Sequence, residues 1–305
     1  MGCFELPKTN IFTCKHTQLL LGRRLLRVGF HVSIDGSVVE AVNRAAGLGC
    51  NTFQIFTRNP RQWYSATLNP ETAKAFSDKL KAHDMKPVFA HMPYLPNLAS
   101  PRDDVYEKSV KTLKLELERC KQLTIPYLVT HLGSHLGAGM QKGFIRLIEA
   151  INAALKVSDE GVILLLENTA GTRNSMGSRF EDIQFIIEHL THSERVGVCF
   201  DTSHAFAAGY DLRTGDAVDT TIRDIDEVIG FEKLKLVHLN DSRGDLNSRI
   251  DRHEHIGLGK IGEEGFRNVL TSRLGELPLI LETPKDSRRS DADNLIKVRE
   301  LAGGL

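Results

Sequence analysis

The chain has 305 residues, 41% hydrophobic and 26% charged, the composition of a soluble globular protein with material for a large core. Lysine plus arginine equals aspartate plus glutamate at 39 each, so no overall basic field draws in nucleic acid, and any polyanion must be held locally. No apolar run approaches the roughly 20 residues that span a bilayer, and five scattered cysteines without a CxxC pair exclude a disulfide framework or a thiolate zinc site as the organising principle.

Residues 1–25 read as an extension of unknown role. They lack the apolar core and cleavage site of a signal peptide, and Leu6 stands where a myristoylation site carries Ser or Thr. A reducing cytoplasm is the expected location, with no membrane contact. From residue 26 to 305 the chain reads as one domain.

Within it, eight apolar, β-rich runs follow one another: 26–32, 52–56, 87–91, 127–131, 162–167, 196–201, 234–239 and 277–282. They are nearly continuous in hydrophobicity rather than alternating, as parallel strands covered on both faces are. Between and after them lie stretches of helical period: 38–46, 73–83 (behind an Asn69 cap and Pro70), 105–123, 144–157, 180–190, 217–229, 263–273 and 292–301. Eight strands, each followed by a helix, predict an α/β fold of the (β/α)8 TIM-barrel type; doubly wound sheets share this alternation.

Six consecutive predicted strands end in a potential metal ligand. "PVFAHMP" gives His91, "YLVTHLG" His131, "VILLLENT" Glu167, "VGVCFDTSH" Asp201 and His204, "KLVHLND" His238, and "LPLILETP" Glu282. In a barrel these ends converge on one mouth. Partly buried carboxylates gathered there would repel one another unless cations neutralised them, so a metal centre is the economical reading. The loop after His238 carries Asp251-Arg252-His253 back over the mouth, and Asp251 with His253 projects to one side of an extended segment. With His204 they predict a further three-ligand site, and imidazole and carboxylate without thiolate suit Zn, Mn or Fe. His31 is expected near the site, His135 and His255 in loop or supporting roles, and the remaining histidines at the surface.

On these residues the sequence resembles the endonuclease IV family of apurinic/apyrimidinic (AP) endonucleases. "GFHVSIDGSVVEAV", "FQIFTRNPRQW", "HMPYLPNLAS", "THLGSHLGAG", "LLLENTAG", "CFDTSHAFAAGYD", "HLNDSRGDLNSRIDRHEHIGLGKIG" and "LILETP" match its motifs in its order, from about residue 26 onward. The resemblance implies a (β/α)8 barrel with three Zn2+ per chain, Mn2+ or Fe2+ being alternatives at one site. One ion would be held by His91, His131 and Glu167; a second by Glu167, Asp201, His238 and Glu282; a third by His204, Asp251 and His253. It further implies hydrolysis of the phosphodiester on the 5′ side of an abasic site in double-stranded DNA, by a hydroxide that the three metals activate, leaving a 3′-hydroxyl and a 5′-deoxyribose phosphate, with trimming of blocked 3′ ends as a related activity. Glu167 and Glu282 would orient nucleophile and phosphate.

DNA contacts are expected from Arg58, Arg61, Gln62, Trp63, Tyr94, Leu95, Arg173 and Arg252, with Lys142, Arg243 and Arg249 as further phosphate contacts. By resemblance, Arg61, Tyr94 and Leu95 form a wedge that fills the gap left by the flipped-out nucleotide. The Thr172-Arg173 pair makes its turn bulkier than the family's usual one. A monomer is expected. The main rival is a metal-dependent sugar isomerase or epimerase on the same barrel, and a DNA-damage-binding protein with a degraded site is a non-enzymatic alternative. The third ligand set and the loop "TRNPRQW" discriminate against the first, and nine intact ligands argue against the second.

Overall fold

Ten strands and nine α-helices follow one another along the described residues 26–64, 66–158 and 161–303 of the computed structural model. The predicted extension over 1–25 lies outside the described residues. Eight strands form one parallel sheet: β1 (Val28–Phe30), β2 (Phe53–Phe56), β3 (Val88–His91), β4 (Tyr127–His131), β5 (Ile163–Glu167), β6 (Val196–Asp201), β7 (Leu234–His238) and β10 (Leu279–Leu281). Sheet order runs β1-β10-β7-β6-β5-β4-β3-β2. The two ends meet where Val32 N–H donates to the Gln54 carbonyl at 2.9 Å beside a parallel His31–Gln54 bridge, closing the barrel. Close approach there requires Gly29, because a Cβ at that position would sit 1.7 Å from the Thr52 carbonyl oxygen.

Helices cover the outside: α1 (Val38–Gly47), α2 (Pro70–Ala82), α3 (Asp103–Gln122), α4 (Met140–Leu155), α5 (Phe180–Glu188), α7 (Gly215–Val228), α8 (Gly262–Thr271) and α9 (Asp291–Leu301), while the short α6 (Thr202–Ala208) is buried at the mouth. Local chemistry starts several of them. Asn69 accepts from Glu71 N–H at 2.8 Å with Pro70 in the first turn of α2, and Ser290 with Asp293 forms a capping box on α9.

Side chains alternate along each strand, and that alternation builds the site. Phe89, Val129, Leu165, Cys199, Leu236 and Ile280 form one buried cluster inside the barrel. Two residues further along the same strands, on the same inward side, come His91, His131, Glu167, Asp201, His238 and Glu282. Strand register sets them level: His131 pairs with Glu167, and Asp201 with His238. The apolar cluster is thus a floor, and the polar tier above it faces the mouth.

Three elements escape the sequence reading. Helix α6 follows β6 directly, because Asp201 is both the last strand residue and the cap of the helix, accepting from His204 N–H at 2.8 Å. The return loop contains a two-stranded antiparallel pair, β8 (Asp241–Ser242) and β9 (His253–Glu254). Strands β1 and β10 are shorter than expected, and Glu282 lies one residue past its strand.

Candidate metal centre

Three groups of side chains each bring their ligand atoms within 4.8 Å of one another: His91, His131 and Glu167; Glu167, Asp201, His238 and Glu282; and Asp201, His204 and His253. The first two are the sets expected from the sequence. In the third, Asp201 takes the place expected for Asp251, which instead meets the group through His204, its Oδ1 lying 3.2 Å from Nε2. Asp251 and His253 flank Arg252 at the start of β9, and both line the same cleft as His204.

Glu167 is the hub. Its Oε2 lies 3.1 Å from His91 Nε2 and 3.5 Å from His131 Nε2, while Oε1 lies 3.0 Å from His238 Nδ1. Glu167, Asp201 and His238 are at most 1% exposed, whereas the His131 side chain is 49% exposed at the rim.

Whether metal fits can be judged from the ring nitrogens. His91 Nδ1 donates to the Met92 carbonyl at 2.7 Å, His204 Nδ1 to the Asn168 carbonyl at 2.9 Å, and His253 Nδ1 to the Glu282 carbonyl at 3.1 Å. His238 uses Nε2 instead, 3.0 Å from Gln54 Oε1. Each imidazole therefore commits one nitrogen as a donor and turns the other toward the centre. At His253 that second nitrogen is buried with no hydrogen-bond partner. At His91, His204 and His238 it faces a carboxylate oxygen at 3.0–3.2 Å. Two acceptors that close need a proton or a cation between them, so the donor set fits divalent ions of the borderline kind.

The charges of these groups bear on one another in the same sense. Burial pushes the Glu167 carboxyl up, but His131 and His238 outweigh it and hold it well below the usual carboxylate range. Burial also raises the Glu282 carboxyl, and His238 and His31 reverse that effect. Burial lowers the His204 imidazole, yet Asp201, Asp251 and Glu167 together bring it to about 10. His238 rises well above its ordinary value: burial opposes this, and Cys199, Glu282 and Glu167 override it. Burial pushes the Cys199 thiol itself up to about 12, so the two carboxylates carry the effect near neutral pH. The buried carboxylates thus favour positive charge on the imidazoles around them.

A cleft of about 1230 Å³ opens over these groups, lined by His91, His131, His204, Asp251, His253 and Glu282 and, on one wall, by Arg61, Gln62 and Tyr94. Tyr94 is 66% exposed and Leu95 38%, and both project from the β3–α3 loop beside Arg61 and Gln62 of the β2–α2 loop. Trp63 is half-buried in that loop. Arg173, Arg252, Arg243 and Arg249 are exposed on other βα loops and Lys142 in the first turn of α4, all outside the cleft lining. Arg58 departs from expectation: it is 5% exposed, its Nε is 2.5 Å from Glu116 Oε1, and its Nη1 donates to the Gln62 carbonyl at 2.6 Å. Its charge is spent inside the protein, where it holds the loop that carries Arg61. His255 lies between Asp286 (3.0 Å) and Asn294 (3.0 Å), and His135 accepts from Gly137 and Gly139 N–H, so both serve loops.

A family model described as a xylose isomerase-like TIM barrel matches residues 42–301. A probable endonuclease 4 from Methanoculleus marisnigri is 56% identical over 281 residues, 92% of this chain and 100% of that protein. The crystal structure of endonuclease IV from Thermus thermophilus superposes with a TM-score of 0.81 at 37% identity, covering 91% of this chain and 99% of that one. The chain belongs to the endonuclease IV family. A D-tagatose 3-epimerase-like protein, 19% identical with a TM-score of 0.66 over 90% of this chain and 98% of its own, shares the barrel fold.

For an endonuclease IV family member, several residues of the centre go unread in the sequence. Asn168 Oδ1 accepts from Asp201 N–H at 2.7 Å and its Nδ2 donates to the Asp201 carbonyl at 3.1 Å. Asn240 Nδ2 donates to Asp201 Oδ2 at 2.7 Å while its Oδ1 accepts from Glu282 N–H at 2.8 Å. Both directly follow a strand-end residue or its neighbour, and a polar amide next to a buried carboxylate is the signal that could have found them. Asp241 is not a ligand: its carboxylate accepts the backbone N–H groups of Gly257, Gly259 and Ile261 at 2.9–3.0 Å and knots the return loop.

Proposed function

We propose that this chain is a DNA repair nuclease that hydrolyses the phosphodiester on the 5′ side of abasic sites in double-stranded DNA, leaving a 3′-hydroxyl and a 5′-deoxyribose phosphate. Three divalent ions, zinc with manganese or iron as alternatives at one site, would be held by His91, His131 and Glu167; by Glu167, Asp201, His238 and Glu282; and by His204, Asp251 and His253, with Asp201 shared. Bound there, such ions supply Lewis-acid polarisation of the phosphate and lower the pKa of water. The reading rests chiefly on one observation: three imidazole–carboxylate groups share Glu167 and Asp201 at the bottom of a cleft walled by Arg61, Gln62 and Tyr94.

The chain's own residues then divide the work. Glu282 Oε1 is held by His31 Nδ1 at 2.8 Å and Gln54 Nε2 at 2.9 Å, which leaves Oε2, 3.5 Å from His238 Nδ1, as the oxygen that would hold the ion and orient nucleophile and phosphate. Glu167 holds the ligand sets at fixed spacing. Arg61, Tyr94 and Leu95 fill the gap left when the abasic nucleotide leaves the stack, a step that costs least where the base is already missing. Gln62, Trp63, Arg173 and Arg252 flank the strand backbone. Trimming of 3′-blocking phosphates uses the same phosphate-binding centre. The protein is read as a monomer working in the cytoplasm, which agrees with three buried free thiols, Cys50, Cys120 and Cys199. The sugar-epimerase alternative has the shared fold and no observation of its own.

A duplex carrying one tetrahydrofuran abasic analogue, labelled at either end, tests this. Cleavage 5′ to the lesion with a ligatable 3′-hydroxyl is expected; cleavage on the 3′ side, or none, contradicts it.

A further inference from the structure

Inside the barrel, where strands β3 to β7 and β10 present the apolar floor, β2 presents Gln54, registered beside Phe89 and fully buried. An amide buried without partners is destabilising, so a glutamine here needs a reason. Its two ends supply one. Nε2 lies 2.9 Å from Glu282 Oε1, and Oε1 lies 3.0 Å from His238 Nε2. A carboxylate only accepts, so the amide NH2 must face Glu282; the amide oxygen then faces His238 and can only accept from Nε2–H. That fixes the tautomer. In the neutral ring that a metal requires, the lone pair of His238 is then at Nδ1, which is faced by Glu167 Oε1 at 3.0 Å, Glu282 Oε2 at 3.5 Å and Asp201 Oδ2 at 3.9 Å.

We propose that Gln54 is a positioning residue of the centre: one amide sets the ring tautomer of His238 and the orientation of the Glu282 carboxylate together, and so governs retention of the ion held by Glu167, Asp201, His238 and Glu282. This rests on the three-metal reading above. His31 assists at Glu282 Oε1 but reaches neither ring nitrogen of His238, so it cannot replace Gln54. The supporting residues of metal-bound imidazoles typically change affinity by about 10–100-fold when removed.

The test uses the full chain with Gln54→Met, which keeps the volume and deletes both hydrogen bonds. Metal content is measured by mass spectrometry after dialysis against EDTA, together with zinc release followed by a chromogenic chelator. The variant should hold about two ions where the native chain holds three, and one ion should leave about 10–100-fold faster. A circular-dichroism melt of the metal-free forms controls for folding and should be unchanged within a few degrees. Gln54→Glu, which keeps the acceptor for His238 but sets a carboxylate against Glu282, should lose the same ion. Three ions released at native rates by both variants would overturn the inference. A native chain that holds two or fewer would overturn the three-metal reading, and this inference with it.

Discussion

Glu167 presents Oε2 to His91 and His131 and Oε1 to His238, so a single carboxylate links two of the three ligand sets. Glu167→Gln keeps the shape but swaps one acceptor oxygen for an NH2 group pointing at imidazoles. It should lower metal retention and reduce incision by at least ~100-fold, with added zinc failing to restore the rate; full activity with three bound ions would show that the shared charge is dispensable. Among single residues the sequence is informative where chemistry and position coincide. His91, His131, Glu167, Asp201, His238 and Glu282 each end a predicted strand, and a strand end in a barrel is a place. Arg58 reads as a DNA contact in the sequence because nothing in "TRNPRQW" tells that Glu116, 58 residues away on α3, neutralises it. Gln54 escapes notice for the converse reason: within "FQIF" its polarity looks incidental until His238 and Glu282 arrive from the far end of the chain.

Two supporting networks determine how the loops stand over the barrel. On one side α3 grips the β2–α2 loop: Glu116 accepts from Thr57 and Arg58, and Arg119 donates to the Thr57 carbonyl and hydroxyl at 2.6 and 2.8 Å. Breaking a buried ion pair by removing one partner costs about 3–5 kcal/mol. Glu116→Gln should therefore lower the melting temperature and raise KM for abasic duplex about tenfold or more, with metal content and kcat preserved; the tenfold figure corresponds to about 1.4 kcal/mol of lost binding. A fall in kcat with unchanged KM would place Glu116 in the chemistry instead.

On the other side Glu254 and Asp286 share Arg288, and Asp286 also holds His255. Hydrogen bonds from Arg288 and His255 keep the Asp286 carboxyl well below its ordinary value of 3.8. The sign follows from that depression: the native state favours ionised Asp286, so its contribution is present above about pH 4 and fades as pH falls toward the lowered folded value. The stability difference between the native chain and Asp286→Asn, read from paired melts, should be largest above about pH 5 and shrink below about pH 4. A difference that grows with acid would reverse the assignment. These networks, like α6 and the β8–β9 pair, are illegible in the sequence because they are short and set by tertiary partners rather than by periodicity.

Across the whole chain, the barrel is legible since eight continuous apolar runs and eight helical periods repeat in strict order. Closure is not, because it depends on the lack of a Cβ at Gly29 and on the Val32–Gln54 hydrogen bond. The fold brings residues from six strands and a return loop to one mouth, and the family membership says what such a mouth does among relatives; the metal count is the step that joins the two. The decisive test is made on one preparation of the native chain: bound metal determined by mass spectrometry after exhaustive EDTA dialysis, alongside incision of the tetrahydrofuran duplex. About three ions per chain and 5′ incision that survives EDTA are expected, since buried multidentate sites release metal slowly. Full incision from a chain with no bound metal, or three ions and no incision, would contradict the three-metal nuclease.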